Sequence, residues 1–206
     1  MMMWKQSLKE FFGFKVNYDA SFFGEPWFEN WEVPKFILKE LIEFDSHWKR
    51  IFDFGCGPGV MIDLMNDAGY DYVGFDTSDQ ARELYLNRFG GYPKKFTNNL
   101  EHLKDSEWDL CISFDVLEHM EDEQVIEVFS GLRNVSELFL NISRQKGIPG
   151  HINLKKDDDW VILFEDIGFK YDFNKSELLR RKYLELRPNG PDQWHENIFL
   201  FCNEIT

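Results

Sequence analysis

Short runs of this chain carry residue types that could do chemistry together. The first is Asp53-Phe54-Gly55-Cys56-Gly57-Pro58-Gly59, an acid followed by alternating glycines. Glycines so spaced let the backbone turn sharply and let a ligand approach with no β-carbon in the way. The second is Asp76, which closes the run Gly74-Phe75-Asp76. A carboxylate there can accept two hydrogen bonds from vicinal hydroxyls. The third is Asp115-Val116-Leu117-Glu118-His119, and the fourth is Gly150-His151-Ile152-Asn153. Imidazoles move protons near neutral pH, and carboxylate oxygens suit hard divalent cations.

The hydrophobic pattern supplies the elements that must position these runs. Pro34 reads as the first residue of a helix striped by Ile37, Leu38, Leu41 and Ile42. Residues 50–54 read as a short buried strand ended by the glycines. Val60, Met61, Leu64, Met65 and Ala68 then form the apolar face of a helix stopped by Gly69. Tyr72 to Phe75 is extended, and Thr77-Ser78-Asp79-Gln80 predicts a capping box for a helix to about Phe89. Strands are predicted at Lys94–Thr97, Trp108–Phe114 and Glu137–Ile142, with a helix over Asp122–Ser130. Asp157 is expected to cap a helix carrying Trp160, Leu163, Phe164 and Ile167. Phe169–Phe173 should be extended, Ser176 should cap a last helix to about Tyr183, and Asn197–Cys202 should be the final strand. This alternation predicts an α/β fold with a mostly parallel sheet. No internal repeat or low-complexity linker interrupts it. Residues 33–206 therefore read as one domain and residues 1–32 as an aromatic extension. Its Phe22, Phe23, Trp27, Phe28 and Trp31 either form a lid or pack an extra helix onto the sheet.

In such a sheet ligands bind in the crevice outside the carboxyl ends of the strands. Two cofactor classes fit a glycine turn there. A nicotinamide dinucleotide wants GxGxxG, with its pyrophosphate on the helix N-terminus. This chain has GxGxG, with Val60 in the place of the third glycine, and Asp53 is unfavourable beside a pyrophosphate. The acid suits a cofactor with a cationic ammonium group, a ribose and a sulfonium, which describes S-adenosylmethionine.

Taken in order, DFGCGPG, GFDTS and WDLCISFDVLEHM resemble the motifs of the class I S-adenosylmethionine-dependent methyltransferases, over roughly residues 34–203. The resemblance implies a doubly wound, Rossmann-like, seven-stranded sheet with an antiparallel last strand and helices on both faces. It places Gly55, Gly57 and Gly59 against the amino-acid part of the cofactor, Asp76 on the ribose hydroxyls and Thr77 beside the adenine; Asp53 and Phe54 are expected among the cofactor-binding residues. Asn99 stands where the family usually has an acid for the adenine amine; it is equally readable as a turn asparagine. Phe114 and Asp115 should lie near the sulfonium.

Methyl transfer from a sulfonium is a direct displacement, so positioning in a dry pocket contributes most. A hydroxyl acceptor must also lose a proton, and His119 and His151 are the candidate bases on the ligand side. His47, His102 and His195 are given no role. The spacing of Asp115, Glu118 and His119 also resembles the Mg²⁺-binding pattern of ubiquinone-biosynthesis O-methyltransferases and plant small-RNA 2′-O-methyltransferases, with Asp in place of their Glu. The tail GHINL, Trp160, FEDIGF and NIFLF resembles methyltransferases of polysaccharide and secondary-metabolite gene clusters, which implies a sugar or small hydroxylated acceptor. A nicotinamide-dependent oxidoreductase and a non-catalytic cofactor-binding module stay open beside this reading, since fold and cofactor do not name an acceptor.

Composition narrows the partners. The 206 residues include 37 acidic and 23 basic side chains, a net charge of −14 that argues against a grip on nucleic-acid phosphates. Aromatics at 17% argue against disorder as the main state. Cys56, Cys111 and Cys202 form no paired spacing, so a disulfide or zinc–cysteine framework is not expected and a cytoplasmic, reducing compartment is the default. No apolar run approaches a membrane span, and Met1–Phe14 lacks the continuous apolar segment of a signal peptide. Asp19, Glu25, Glu29 and Glu32 fall in a stretch without Lys or Arg. So do Asp115, Glu118, Glu121, Asp122, Glu123 and Glu127. Such an acidic border favours a neutral or cationic acceptor, unless a divalent ion reverses the local charge.

Overall fold

A computed structural model describes residues 32–88, 92–104, 106–187 and 194–204. The expected lid residues Phe22, Phe23, Trp27, Phe28 and Trp31 lie outside the described residues. Helix α1 (Glu32–Glu43) leads into β1 (Arg50–Phe54), α2 (Val60–Asp67), β2 (Asp71–Phe75) and α3 (Asp79–Arg88). Then come the two-residue β3 (Phe96–Thr97), α4 (Glu101–Lys104), β4 (Trp108–Phe114), α5 (Asp122–Ser130) and β5 (Val135–Asn141). The chain ends with α6 (Asp157–Asp166), β6 (Phe169–Tyr171), α7 (Phe173–Leu186) and β7 (Ile198–Asn203).

The strands form one 7-stranded sheet in the order β3-β2-β1-β4-β5-β7-β6. β1 pairs parallel with β2 and β4, and β7 runs antiparallel to β5 and β6. After β3 the chain crosses to the far side of β1, so the crevice at the carboxyl ends opens between β1 and β4.

Strand periodicity decides which residues cover which face. Phe52, Phe54, Cys111, Leu138, Leu140, Phe199 and Phe201 pack with Val125, Phe129, Trp160 and Phe164 from α5 and α6. Their immediate neighbours Ile51, Leu110, Ile112, Phe139, Ile198 and Leu200 pack on the other face with α1, α2, α3 and α7. Both faces are thus buried, which is why these strands read as continuous apolar runs.

The structure moves several expected boundaries. Helix α1 begins two residues before Pro34, at Glu32. A single-turn helix over Pro93–Lys95 replaces most of the expected Lys94–Thr97 strand. Ser78 Oγ accepts from Ala81 N at 3.2 Å at the start of α3, where a Thr77–Gln80 box was expected. Asp157 is the first residue of α6, and Lys156 occupies the cap; Asp157, Asp158 and Asp159 face the positive end of the helix dipole. Helix α7 starts at Phe173, capped by the Asp172 carboxylate on Lys175 N at 2.8 Å.

Ser176, expected as that cap, lies inside α7 and is fully buried. Its hydroxyl donates to Asp172 O and accepts from Leu200 N, both at 2.8 Å, fastening the helix to β7. Arg180, whose charge would suit a solvated helix face, donates to Ile198 O from Nε and Nη2. Lys175 joins Asp45 and Glu137, each at 2.7 Å, under the Trp48 ring. Ser176→Ala would leave the buried Leu200 N–H unpaired. Urea unfolding should show a loss of about 1–3 kcal/mol, while an unchanged midpoint would place no weight on this fastening.

Candidate functional site

The glycine turn leaves β1 and returns immediately against the tip of β2. Gly55 N and Cys56 N both donate to Phe75 O, at 2.8 and 3.0 Å. Gly55, Gly57 and Gly59 have φ of 78°, 52° and 71°, the left-handed region where a side chain is strained. A β-carbon on Gly55 would run into Val116, and one on Gly59 would meet Ile62 and Tyr85 at 2.8 and 2.9 Å. The turn is therefore closed by sterics on its inner side, and its N–H groups at Gly55, Cys56, Gly57 and Gly59 are taken up by Phe75 O, Asp76 Oδ2 and Cys56 O.

Two carboxylates frame it. Asp76 Oδ2 accepts from Gly57 N at 2.9 Å and Oδ1 from Ser78 N at 2.8 Å. Burial pushes its carboxyl up to about 6 against the lowering effect of those two N–H groups. Asp53, at the end of β1, is buried and accepts from Tyr72 Oη at 2.6 Å. Burial first, and the nearby Asp76 charge, push Asp53 up to about 7 even though Tyr72 favours the ionised form. A cationic group placed between these acids would restore the ionised state of both. Asn99 Oδ1 accepts from Glu101 N at 3.1 Å, a turn that starts α4. Thr77, half-buried, follows Asp76.

The other side of the crevice is built from β4 and β5. Phe114 is half-buried, edge-on to Phe139 at 5.0 Å and to Trp194 at 5.6 Å. Trp194 was not singled out from the sequence. It is held through its carbonyl by Asn141 Nδ2 at 2.7 Å, a tertiary contact with no local signal. Asp115 follows with φ 55°, the one non-glycine residue among the described residues with positive φ. Aspartate tolerates this conformation better than most residues. It reverses the chain into a single-turn helix, Leu117–His119.

That turn meets the segment Gly150–Asn153. Ile152 N and Asn153 N donate to Glu118 O at 2.9 and 3.0 Å. Asn153 Nδ2 donates to Met120 O at 2.8 Å and to Asp122 Oδ1 at 2.7 Å. His119 Nδ1 lies 2.9 Å from Gly150 O, and His151 Nδ1 lies 2.9 Å from Gln145 O. Because carbonyls only accept, both rings are assigned the Nδ1–H tautomer. The rings meet edge-to-face at 4.7 Å. His151 Nε2 lies 3.8 Å from Glu118 Oε1. Glu118 is fully buried, and no side chain donates to its carboxyl within hydrogen-bond distance. Burial and the Asp115 charge push it up to about 9, only partly offset by the backbone N–H groups of Glu118 and Ser143. Burial holds His119 below the ordinary imidazole range.

The two candidate bases, distant in sequence, are thus neighbours. The expected Mg²⁺ group of Asp115, Glu118 and His119 is not the one the fold assembles. The potential ligand atoms of Glu118, His119 and His151 lie within 4.8 Å of one another, and Asp115 is not among them. Asp115 lies at the left-handed turn before these residues, and the loop after β5 brings His151 to Glu118 and His119. Asn153, which pins that loop, was also missed; its only sequence signal was its place in GHIN. His195, given no role, stacks on Tyr183 at 6.1 Å. Among the described residues no helix is long and apolar enough to cross a membrane.

Residues 32–134 match the methyltransferase-domain family. No curated protein matches the chain. Solved structures with the same fold include magnesium protoporphyrin IX methyltransferase ChlM from Synechocystis PCC 6803 with bound SAH. It has a TM-score of 0.53 and 21% identity, over 68% of this chain and 72% of that one. A SAM-dependent methyltransferase from Archaeoglobus fulgidus matches with TM-score 0.57 and 17% identity, over 89% and 96%. The bifunctional kinase-methyltransferase WbdD matches with TM-score 0.57 and 16% identity; the alignment covers 89% of this chain but 42% of that one.

A pH test follows from Asp53. Its folded-state value, about 7, lies above the ordinary 3.8. The stability it contributes is therefore full below about pH 4 and lost as pH rises through 7. Asp53→Asn should shrink the stability lost between pH 5 and pH 8 in urea titrations. A variant profile parallel to the wild type would contradict the assignment.

Proposed function

The chain belongs to the methyltransferase-domain family, the class I S-adenosylmethionine-dependent methyltransferases. From that premise we propose that it transfers a methyl group from S-adenosylmethionine to a hydroxyl oxygen of a small-molecule or sugar acceptor. The observation that carries this reading is the pairing of the left-handed glycine turn with Asp53 and Asp76 at the crevice between β1 and β4. Asp53 answers the cofactor's ammonium group, and Asp76, turned from Gly57 N or shared with it, answers the ribose hydroxyls. Thr77 and Asn99 border the adenine, while Phe114 and Asp115 border the sulfonium.

In the reaction the acceptor oxygen forms a bond to the methyl carbon as the sulfur–methyl bond breaks. The electron pair returns to sulfur, leaving a neutral thioether. The acceptor's proton passes to the cluster of His119, His151 and Glu118 on the acceptor side. Charge is lost at sulfur as the bond forms, so alignment in a desolvated crevice contributes more than an oxyanion site. The acidic residues of α5 and its N-terminal turn, Glu121, Asp122, Glu123 and Glu127, favour an acceptor without negative charge.

A nicotinamide cofactor is disfavoured by Asp53, which sits beside the turn where a pyrophosphate would lie. Calorimetry with S-adenosylmethionine tests the reading: Asp76→Ala should weaken binding by at least about tenfold, roughly 1.4 kcal/mol. Unchanged affinity would refute the ribose assignment. Incubation with methyl-labelled cofactor and candidate sugars or hydroxylated small molecules should give an O-methylated product identifiable by mass. Label transfer to no acceptor would favour a non-catalytic binding module.

A further inference from the structure

We infer that the Tyr72 hydroxyl is a positioning group for the cofactor: it holds the Asp53 carboxylate ready for the cofactor's amino group and links that group's arrival to the loss of a proton. The inference rests on the cofactor placement of the methyl-transfer reading and adds a residue to it. From the sequence Tyr72 is only the start of an extended segment. In the fold it is fully buried on β2, and its Oη donates to Asp53 Oδ2 at 2.6 Å. That length suits a hydroxyl on a carboxylate.

The sheet register makes this pair. Asp53 lies opposite Gly74, and Ile51 lies opposite Tyr72. Tyr72 and Gly74 are two residues apart, so they share a face of the sheet. Gly74 offers no side chain to the carboxylate, and the long Tyr72 side chain reaches it along the diagonal. The tyrosine is fixed at its root, because Asn66 Nδ2 donates both to Tyr72 O and to Ile62 O, each at 2.8 Å. Helix α2 thereby clamps the strand that carries the phenol. Among the described residues Tyr72 is the side chain that donates to Asp53. Oδ2 is committed to it, and Oδ1 is the oxygen left for a ligand. One fixed donor orients a carboxylate without filling its capacity to accept.

The surroundings make the charge of Asp53 conditional on a partner. The other titratable groups within its electrostatic reach are Asp76 at the tip of β2, Cys56 in the turn and Cys111 in β4. None of these is a cation. From α2 the side chain beside Gly74 is Ile62, which does not titrate. Burial first, then Asp76, raise Asp53 to about 7, and the Tyr72 hydroxyl opposes that rise. Below pH 7 the free protein therefore holds Asp53 mostly protonated. An ammonium group beside it favours the ionised form, so binding sends the proton to solvent. Without the hydroxyl Asp53 would hold its proton to higher pH, and the ammonium would bind more weakly on the acid side.

The test uses the full chain and two probes. S-adenosylhomocysteine carries the amino-acid part; methylthioadenosine keeps the adenine and ribose but lacks it. Titration calorimetry is run at pH 6.5 and pH 8.5, in buffers of different ionisation enthalpy so that released protons are counted. At pH 6.5 the wild type should release more protons on binding S-adenosylhomocysteine than on binding methylthioadenosine. Tyr72→Phe should bind S-adenosylhomocysteine about five- to tenfold more weakly at pH 6.5 and within about twofold of the wild type at pH 8.5. Its affinity for methylthioadenosine should match the wild type at both pH values. A loss shared equally by both probes, no loss at pH 6.5, or equal proton release by the wild type with both probes would each overturn the inference. The proton count needs only the wild type, so it decides the matter if circular dichroism shows Tyr72→Phe unfolded. Binding of neither probe by the wild type would refute the cofactor placement together with the inference. Binding of both, with an affinity that does not depend on Tyr72, would refute the positioning role alone.

Discussion

The rest of the site depends on how the tip of β2 holds the glycine turn. Phe75 O takes the N–H groups of Gly55 and Cys56, and the Asp76 carboxylate takes that of Gly57. So held, the backbone passes close to Val116 at Gly55 and to Ile62 and Tyr85 at Gly59, where a β-carbon would collide. The same constraint reaches into the sheet: a β-carbon on Gly74 would meet Cys56 Sγ at 2.7 Å. Glycine is needed at these places because the turn is tight in space as well as left-handed. The consequence is a tightly fastened turn with the Asp53 and Asp76 carboxylates at its two ends.

The carboxylates are held in a state of electrostatic need. Asp53, Asp76 and Glu118 are all pushed upward chiefly by burial. A fold that buries three acids near one crevice gives up stability unless cations complete it. A cofactor with a positive amino group answers the first two on the β1–β2 side. The third stands across the crevice among two imidazoles, where a cofactor's ammonium does not reach in the methyl-transfer reading.

Much of the fold was legible because both faces of the sheet are covered. Strands such as 50–54 and 108–114 read as apolar runs, and α5 was bounded at Asp122–Ser130 by its polar start and its apolar period. Errors fell where a side chain serves a distant partner. Ser176 looks like a helix cap and is a buried fastener to β7; Arg180 looks solvated and binds the β7 backbone. The short β3 was overextended because Pro93–Lys95 turns as a single helical turn before only two residues pair.

The sequence by itself determined the α/β alternation, the glycine turn with its flanking acids, and the presence of His119 and His151 on ligand-side loops. Those are local properties: periodicity, backbone permissiveness and side-chain chemistry at fixed spacing. Only the tertiary structure decided which of them meet. It grouped Glu118 and His119 with His151 rather than with Asp115 and left Glu118 fully buried beside the two imidazoles. The physical reason is the parallel pairing of β4 with β5. That register sets their following loops side by side, and Asn153 then locks the two together across a gap of more than thirty residues that no local pattern records.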